Sequence, residues 1–478
     1  MPDRNPPRRL GGRSEPTAGA RADAAAGAGD SAGARGGRAG FQLGAAATVA
    51  ELDGDPHPLL RRLREHEPVS WLPALGGWLV TRHDLASRVM RDSETFTVDD
   101  PRFSTARVVG PSMLSLDGAA HRRHRDPFTQ AFRGAQASAL LESFAGTTAG
   151  RLVARIRADG QAELRRGLAG PLAVAVVAEV LGLAETDPAV ILSWYDAIVS
   201  AVTTLSADSG RGGPAGATPA AGVTPVPMDA AVPMDAAVPV DAATPGAMPA
   251  GVTTAGGSTF VRDSFSAGRQ AFGALRASIE AVIGRPAGSS LLAAAAGTGR
   301  LSTDEVVSNA AVLMFGGIET TEGMICTAIL HLLSHPEQLS VVTADQNLLP
   351  GAIEESLRLE PSAAVVDRYA TADALLAAAR IRRGDLVIVS IAAANRDPAV
   401  FTEPDRFDIR RANARQNLGF ARGPHFCPGA QLARIETRAA IGAVLDQLPG
   451  LRLDQTRPSA PRGLVFRKPP ALHVRWTP

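Results

Sequence analysis

A lone cysteine among glycines is the strongest chemical signal in this chain: Phe420-Ala-Arg-Gly423-Pro-His425-Phe-Cys427-Pro-Gly429, followed by the helix-like run Ala430-Gln-Leu-Ala-Arg-Ile-Glu. Glycines on both sides let the backbone loop tightly around the sulfur without side-chain bulk. The helix that follows aims its N–H groups and positive dipole end back at that sulfur, which favours a thiolate over a thiol. A single thiolate under hydrogen-bond donors is what a haem iron needs as axial ligand, if an oxygen–oxygen bond is to be split on the opposite face.

Further constellations bear on chemistry. Within a helical run over 309–331 sits Gly316-Gly317-Ile318-Glu319-Thr320-Thr321. Two adjacent glycines in mid-helix cost roughly 1 kcal/mol each relative to alanine, so something other than helix stability accounts for them. Backbone room is that account: the helix can open or bulge there for a small molecule such as dioxygen. Glu319 and Thr320 then put an acid and a hydroxyl beside the opening, able to order water and pass protons. Glu355-Ser-Leu-Arg358 sets a carboxylate and a guanidinium on one helix side. His121-Arg-Arg-His-Arg125 puts His121 and Arg125 on one face at i, i+4. His331 and His335 share that spacing, but no Glu follows His331, Pro336 ends the helix and a third ligand is missing, so zinc is disfavoured. Cys326 reads as a small packing residue.

The elements that must position these groups are mostly helical. The 478 residues suffice for one large domain or two ordinary ones. Residues 58–65 read as an amphipathic helix, Val69-Ser-Trp-Leu and Gly77-Trp-Leu-Val-Thr as a short hairpin. Long helices are expected around 136–156, 168–181, 189–205, 260–283, 303–333 and 348–359, with late short strands at Asp385-Leu-Val-Ile-Val-Ser and near Gly463-Leu-Val-Phe. Residues 1–40 are Gly, Ala, Arg, Ser and Pro with few large apolar side chains, and read as a disordered tail. A low-complexity insert spans about 206–258. It holds Val226-Pro-Met-Asp-Ala-Ala231, Val232-Pro-Met-Asp-Ala-Ala237 and Val238-Pro-Val-Asp-Ala-Ala243, whose prolines forbid a continuous helix and favour a flexible excursion. The formal charge of +1, from 49 basic and 48 acidic residues, offers no bulk field for nucleic acid or anionic lipid. Two cysteines exclude a disulfide framework and suit a reducing cytosol. The longest apolar run, 168–178, is too short for a bilayer, and no signal peptide is evident, so a soluble, cytoplasmic protein is expected.

Over roughly residues 50 to 478 the chain resembles the cytochrome P-450 monooxygenases. The cysteine stretch is similar to that family's ligand loop, Phe-Gly-x-Gly-x-His-x-Cys-x-Gly, with Ala421 where glycine is usual. Gly316 to Thr320 resembles its oxygen-activation segment, with Gly316 in place of alanine. The Glu355-x-x-Arg358 pattern resembles its structural cluster, to which Pro404-Asp-Arg406-Phe407 would bring Arg406 as the third member, holding the cysteine loop. Leu116-Asp-Gly and Phe128-Thr-Gln-Ala-Phe flank what looks like the helix that binds the haem propionates. His121, Arg125, Arg368 and His425 are the expected propionate set. Between Asp373 and Gly384, Ala377-Ala378 and Arg382 stand where the family shows a glycine turn and a proline.

The resemblance implies a mainly α fold with small β-sheets: one haem-thiolate domain over 41–478, with the insert at 206–258 between the lid helices. It implies haem b (iron protoporphyrin IX) on Cys427, proton routing through Glu319 and Thr320, and a small apolar substrate oxidised with dioxygen, in bacterial secondary metabolism. Val108, Val109, Phe315, Ala364, Val365 and Phe466 are the expected pocket residues. No flavin or iron–sulfur segment is present, so the electrons come from a ferredoxin or flavodoxin with an NAD(P)H-dependent reductase. A monomer is expected. Three alternatives stay open: oxidative carbon–carbon or aryl coupling on the same fold, a haem-binding sensor or carrier without oxygenase activity, and a peroxide-driven enzyme.

Overall fold

The computed structural model of the chain describes residues 38, 40–131, 135–209, 257–286 and 290–478. The chain divides into two units, Met1–Gly40 and Phe41–Pro478. The first, and residues 210–256 of the repeat insert, lie almost wholly outside the described residues.

Nine helices of the second unit matter for the site: α1 (His57–His66), α2 (Gly118–Ala131), α3 (Ala135–Ile156), α4 (Gly170–Leu181), α5 (Pro188–Ser209), α6 (Gly257–Ile283), α7 (Thr303–Ser334), α8 (Leu349–Leu359) and α9 (Ala430–Gln447). In α1 the apolar spacing puts Leu59, Leu60 and Leu63 on the buried side. Helix α7 is about 48 Å long at 1.5 Å per residue. It starts at a capping box in which Ser302 Oγ accepts from Glu305 N and Ser302 N donates to Glu305 Oε2. It is apolar on nearly every side, so only the molecular interior suits it. By length and composition it could cross a membrane, yet 72% of its most apolar stretch is covered by the rest of the protein. Two apolar clusters meet on it, one shared with α3, α4, α8 and α9, the other with α4, α5 and α6.

The strands are short: β1 (Val69–Leu72), β2 (Gly77–Val80), β3 (Phe96–Thr97), β4 (Gln161–Glu163), β5 (Val365–Ala370), β6 (Ala374–Leu376), β7 (Ala379–Ile381), β8 (Leu386–Ser390), β9 (Arg452–Leu453) and β10 (His473–Arg475). The main sheet runs β1-β2-β8-β5-β3, with β2 and β8 parallel and the other neighbours antiparallel. Trp78 faces Val387, and Val387 faces Arg368, which fixes the register that carries Arg368. Mainly helical architecture with small sheets is thus what forms, as the sequence implies.

Local expectations fare unevenly. Residues 463–466 do not form a strand; only isolated bridges join Ala363 to Phe466 and Arg462 to Lys468. Gly463, at φ +119°, breaks the extended path, and an added Cβ there would lie 1.9 Å from Phe466 O. The helix expected from 168 begins with a π-helical turn at Arg165–Ala169. The hairpin over 373–384 forms even without the usual glycine: Leu376 pairs with Ala379 around Ala377-Ala378, and Ala377 takes φ +49°.

Candidate active site

The cysteine loop is closed by its own backbone. Cys427 N donates to Phe420 O at 2.9 Å and Ala421 N to Leu418 O at 2.8 Å. Gly423, at φ +73°, is required, since a Cβ there would lie 2.6 Å from Met90 O. Ala421 takes φ +58°, the conformation the usual glycine supplies. An alanine in that region costs about 1–2 kcal/mol. Ala421→Gly is therefore expected to stabilise the protein by about 0.5–1 kcal/mol after the unfolded chain's added freedom is deducted. Chemical denaturation followed by circular dichroism checks this.

Cys427 sits deep in the protein with part of its surface uncovered. Burial pushes its thiol above the usual value, while the Gly429 N–H, Arg125 and Arg434 pull the other way. The N–H at the start of the following helix thus acts on the sulfur in the expected direction, against the effect of burial. Gly429 leaves the sulfur side open, since even an added Cβ would come no nearer than 4.0 Å.

Basic side chains converge nearby. His121 on α2 is 3% exposed, its ring 4.3 Å from that of His425, and its Nε2 has no hydrogen-bond partner. Burial, then His425 and Arg125, depress His121 to about 4. His425 Nε2 lies 2.9 Å from Asp117 Oδ1. It is also pulled down, first by burial, with Arg368 and Arg125 adding to this against Asp117. Arg125 Nη2 donates to Phe426 O, and Arg368, 4% exposed on β5, donates to Asp367 O at 2.7 Å. Two histidines depressed by burial and by neighbouring basic groups, one with an orphaned buried nitrogen, beside two arginines, make a site suited to anions. The two propionates of a haem on Cys427 fit that site.

Helix α7 passes through this region unbroken, so the opening expected at Gly316-Gly317 is not a bulge. The two glycines have different reasons. A Cβ at Gly317 would lie 2.7 Å from Val177 of α4, so close helix packing requires the glycine; one at Gly316 meets nothing within 4 Å. Thr320 Oγ1 donates to Gly316 O at 2.6 Å. Glu319 Oε1 lies 2.8 Å from Lys468 Nζ. Lys468, absent from the sequence-level site, also pairs with Glu322. Its being the chain's single lysine was the available signal.

Glu355 and Arg358 form a buried pair, with Arg358 Nε and Nη2 donating at 2.7 and 2.8 Å. Arg406 is not its third member. Its side chain is 62% exposed and meets Glu403 at 3.2 Å, contributing only its carbonyl to Arg358. The third guanidinium is Arg411, whose Nε lies 2.9 and 3.1 Å from the Glu355 oxygens, because the turn from Asp408 folds it back. Arg358 also donates to Asn395 O, and Asn395 Oδ1 accepts from Leu418 N at 2.7 Å, at the base of the cysteine loop. Asn395 is a link that sequence reasoning missed.

Of the expected pocket residues, Val108, Val109 and Phe315 share one apolar cluster that Phe466 joins, with the Phe315 and Phe466 rings 5.4 Å apart. Ala364 and Val365 pack in a different cluster, with Leu59 and Leu60. They remain tied to the first through Ala364 N to Val465 O at 2.9 Å.

A family model described as Cytochrome P-450 matches residues 285–474. The chain is 31% identical over 455 residues to the cytochrome P-450 monooxygenase PikC of Streptomyces venezuelae, covering 91% of this chain and 94% of that one. A 172-residue segment is 45% identical to the 20-oxo-5-O-mycaminosyltylactone 23-monooxygenase of Streptomyces fradiae, covering 35% of this chain and 41% of that one. Among solved structures, the hydroxylase HmtN involved in himastatin biosynthesis superposes with a TM-score of 0.68 at 27% identity, covering 90% of this chain and all of that one.

Proposed function

The chain belongs to the cytochrome P-450 family of monooxygenases, and on that premise we propose that it oxidises a small apolar molecule of bacterial secondary metabolism, with haem b as its cofactor. The overall balance is R–H plus dioxygen, two electrons and two protons, giving R–OH and water. A ferredoxin or flavodoxin with an NAD(P)H-dependent reductase supplies the electrons. Residues 41–478 form the catalytic unit, which works as a cytoplasmic monomer.

One observation carries the reading: Cys427, partly exposed, lies in a glycine-shaped loop, and a cluster of basic groups with an orphaned His121 Nε2 stands near it. When bound through that sulfur, haem supplies the reductive chemistry of dioxygen. The remaining work falls to the chain's own residues. Arg125, Arg368, His121 and His425 hold the propionates. Val108, Val109, Phe315 and Phe466 exclude water and orient an apolar substrate. Thr320 donates to Gly316 O, which leaves its oxygen free to accept a proton-carrying neighbour. Glu319 is the acid that resupplies protons to it.

Thr320→Ala is expected to leave reductant consumption in place while product per reductant falls about 10-fold or more, with peroxide released instead. Paired measurements of reductant, dioxygen, peroxide and product check this. Product mass also separates the reactions, since oxygen insertion adds one oxygen atom and coupling removes two hydrogens. If Thr320→Ala and Glu319→Gln both retained full coupling, the proton-routing assignment would fail.

A further inference from the structure

The segment after Gly463 lies along α7 with its side chains sorted by alternation. Phe466 meets Phe315, and Lys468 meets Glu319 and Glu322, so 466 and 468 contact residues at i, i+4 and i+7 on one helix face. Between them, Arg467 turns the other way and is held by Glu360 at 2.6 Å and by the carbonyls of Asp53, Gly54, Pro461 and Gly463. The backbone of Lys468 is itself paired with Arg462 in both directions. Gly323 permits the approach, since a Cβ there would lie 3.4 Å from Lys468 Cβ and 3.0 Å from Ser362 Oγ. The ammonium is therefore delivered to α7 from a rigid mount.

The surrounding charges are specific. Arg165, from the π-helical turn, holds the far side of Glu322 at 3.0 Å and also donates to Pro470 O. Asp196 on α5 faces the same group and is pushed up by burial and then by Glu322, against Lys468 and Arg165. Glu163 receives the backbone N–H groups of Arg165 and Leu472. Burial works against a charged Lys468, yet Glu322 and Glu319 together raise it above the usual lysine value. One ammonium is thus shared by two carboxylates, of which one is already satisfied by an arginine.

We propose that Lys468 is a positioning residue for proton delivery: it fixes the Glu319 carboxylate beside Thr320 and leans on Glu322 when Glu319 takes up a proton. Sharing keeps the buried ammonium paired in both protonation states of Glu319, so a proton can pass without stranding a charge. This rests on the reading of Glu319 as the proton-supplying acid.

The single lysine gives a direct readout. With lysine labelled by nitrogen-15 at Nζ, the side-chain spectrum of the holoenzyme holds one resonance. It should titrate above the ordinary lysine range, and both Glu319→Gln and Glu322→Gln should shift it. A resonance that behaves as a free amine and ignores Glu319→Gln overturns the proposal. In turnover, Lys468→Met should move the pH profile of coupled product formation toward higher pH by about 1 unit or more and alter its solvent isotope effect, since loss of a nearby cation disfavours the carboxylate. Lys468→Arg should restore most of the wild-type profile. If Lys468→Met folds poorly, the double variant Lys468→Met with Glu322→Gln preserves net charge and should still lose coupled product across the pH profile, because Glu319 has lost its fixed partner. A wild-type profile in that variant overturns the proposal. The two layers separate cleanly: if Glu319→Gln leaves coupling intact, the proton-routing reading fails while the labelled resonance still reports the ion pair. If Glu319→Gln uncouples and the Lys468 variants do not, only the positioning role fails.

Discussion

Cys427→Ser should fold and yet lose oxygenation by at least about 10³-fold, the scale on which enzymes respond to loss of an essential group. The substitution is nearly isosteric, and the loop does not depend on the sulfur for closure. Cys427 N still reaches Phe420 O, Gly423 still fits against Met90, and Ala433 N still reaches Gly429 O. What disappears is the soft anionic ligand whose electron donation favours oxygen–oxygen cleavage. A hydroxyl in the same place is far harder to deprotonate where burial already opposes a thiolate. The check is product formation with an added electron-transfer pair, beside circular dichroism to establish folding. Substantial turnover by a folded serine variant would contradict the assignment of Cys427.

Arg358→Ala is expected to cost at least about 3–5 kcal/mol, the usual consequence of leaving one member of a buried pair without its partner. Both side chains of the Glu355–Arg358 pair are fully buried, and Arg358 also carries the carbonyls of Asn395, Pro404 and Arg406. Its loss leaves Glu355 with only Arg411 and the Asp408 N–H, and it frees the Asn395 and Pro404 carbonyls, while Arg406 O keeps Arg411 Nη2. Because Asn395 also holds Leu418, the cysteine loop should loosen and haem retention should fall with stability. Arg411→Ala should follow in the same direction and less far, since Arg358 would remain to pair Glu355. Arg406→Ala should be silent, because its side chain points to solvent. Denaturation midpoints and haem content for the three variants give the ranking. A damaging Arg406→Ala with a silent Arg411→Ala would overturn the structural assignment.

That contrast marks where sequence reasoning stops. The cysteine loop is legible because its determinants are local: glycines, a cysteine and a helix start within ten residues. Glu319 and Thr320, whose proton-routing role is proposed, rest on the same kind of local signal, being neighbours on one helix. Arg411 was not legible, because its distance to Glu355 is set by how 402–411 turns back, and spacing alone does not separate it from Arg406. Lys468 was missed because it meets α7 only through a long-range approach that Gly323 permits. The strand expected at 463–466 failed at a glycine whose φ alternation cannot reveal. Conversely, Ala421 and Ala377, departures visible in the sequence, both prove to be alanines held at positive φ. The fold tolerates the strain at those turns because the surrounding hydrogen bonds and packing over-determine the conformation. The opening expected at Gly316-Gly317 does not form; packing against Val177 explains the second glycine, and nothing in the structure explains the first.

The central claim is that an iron porphyrin sits on the Cys427 sulfur. Reducing the purified holoprotein under carbon monoxide and recording its Soret band tests this directly. The account predicts a band displaced to long wavelength, as an electron-rich thiolate ligand produces. A band at the position of an imidazole-ligated or oxygen-ligated haem, in a folded protein never exposed to denaturant, would contradict it.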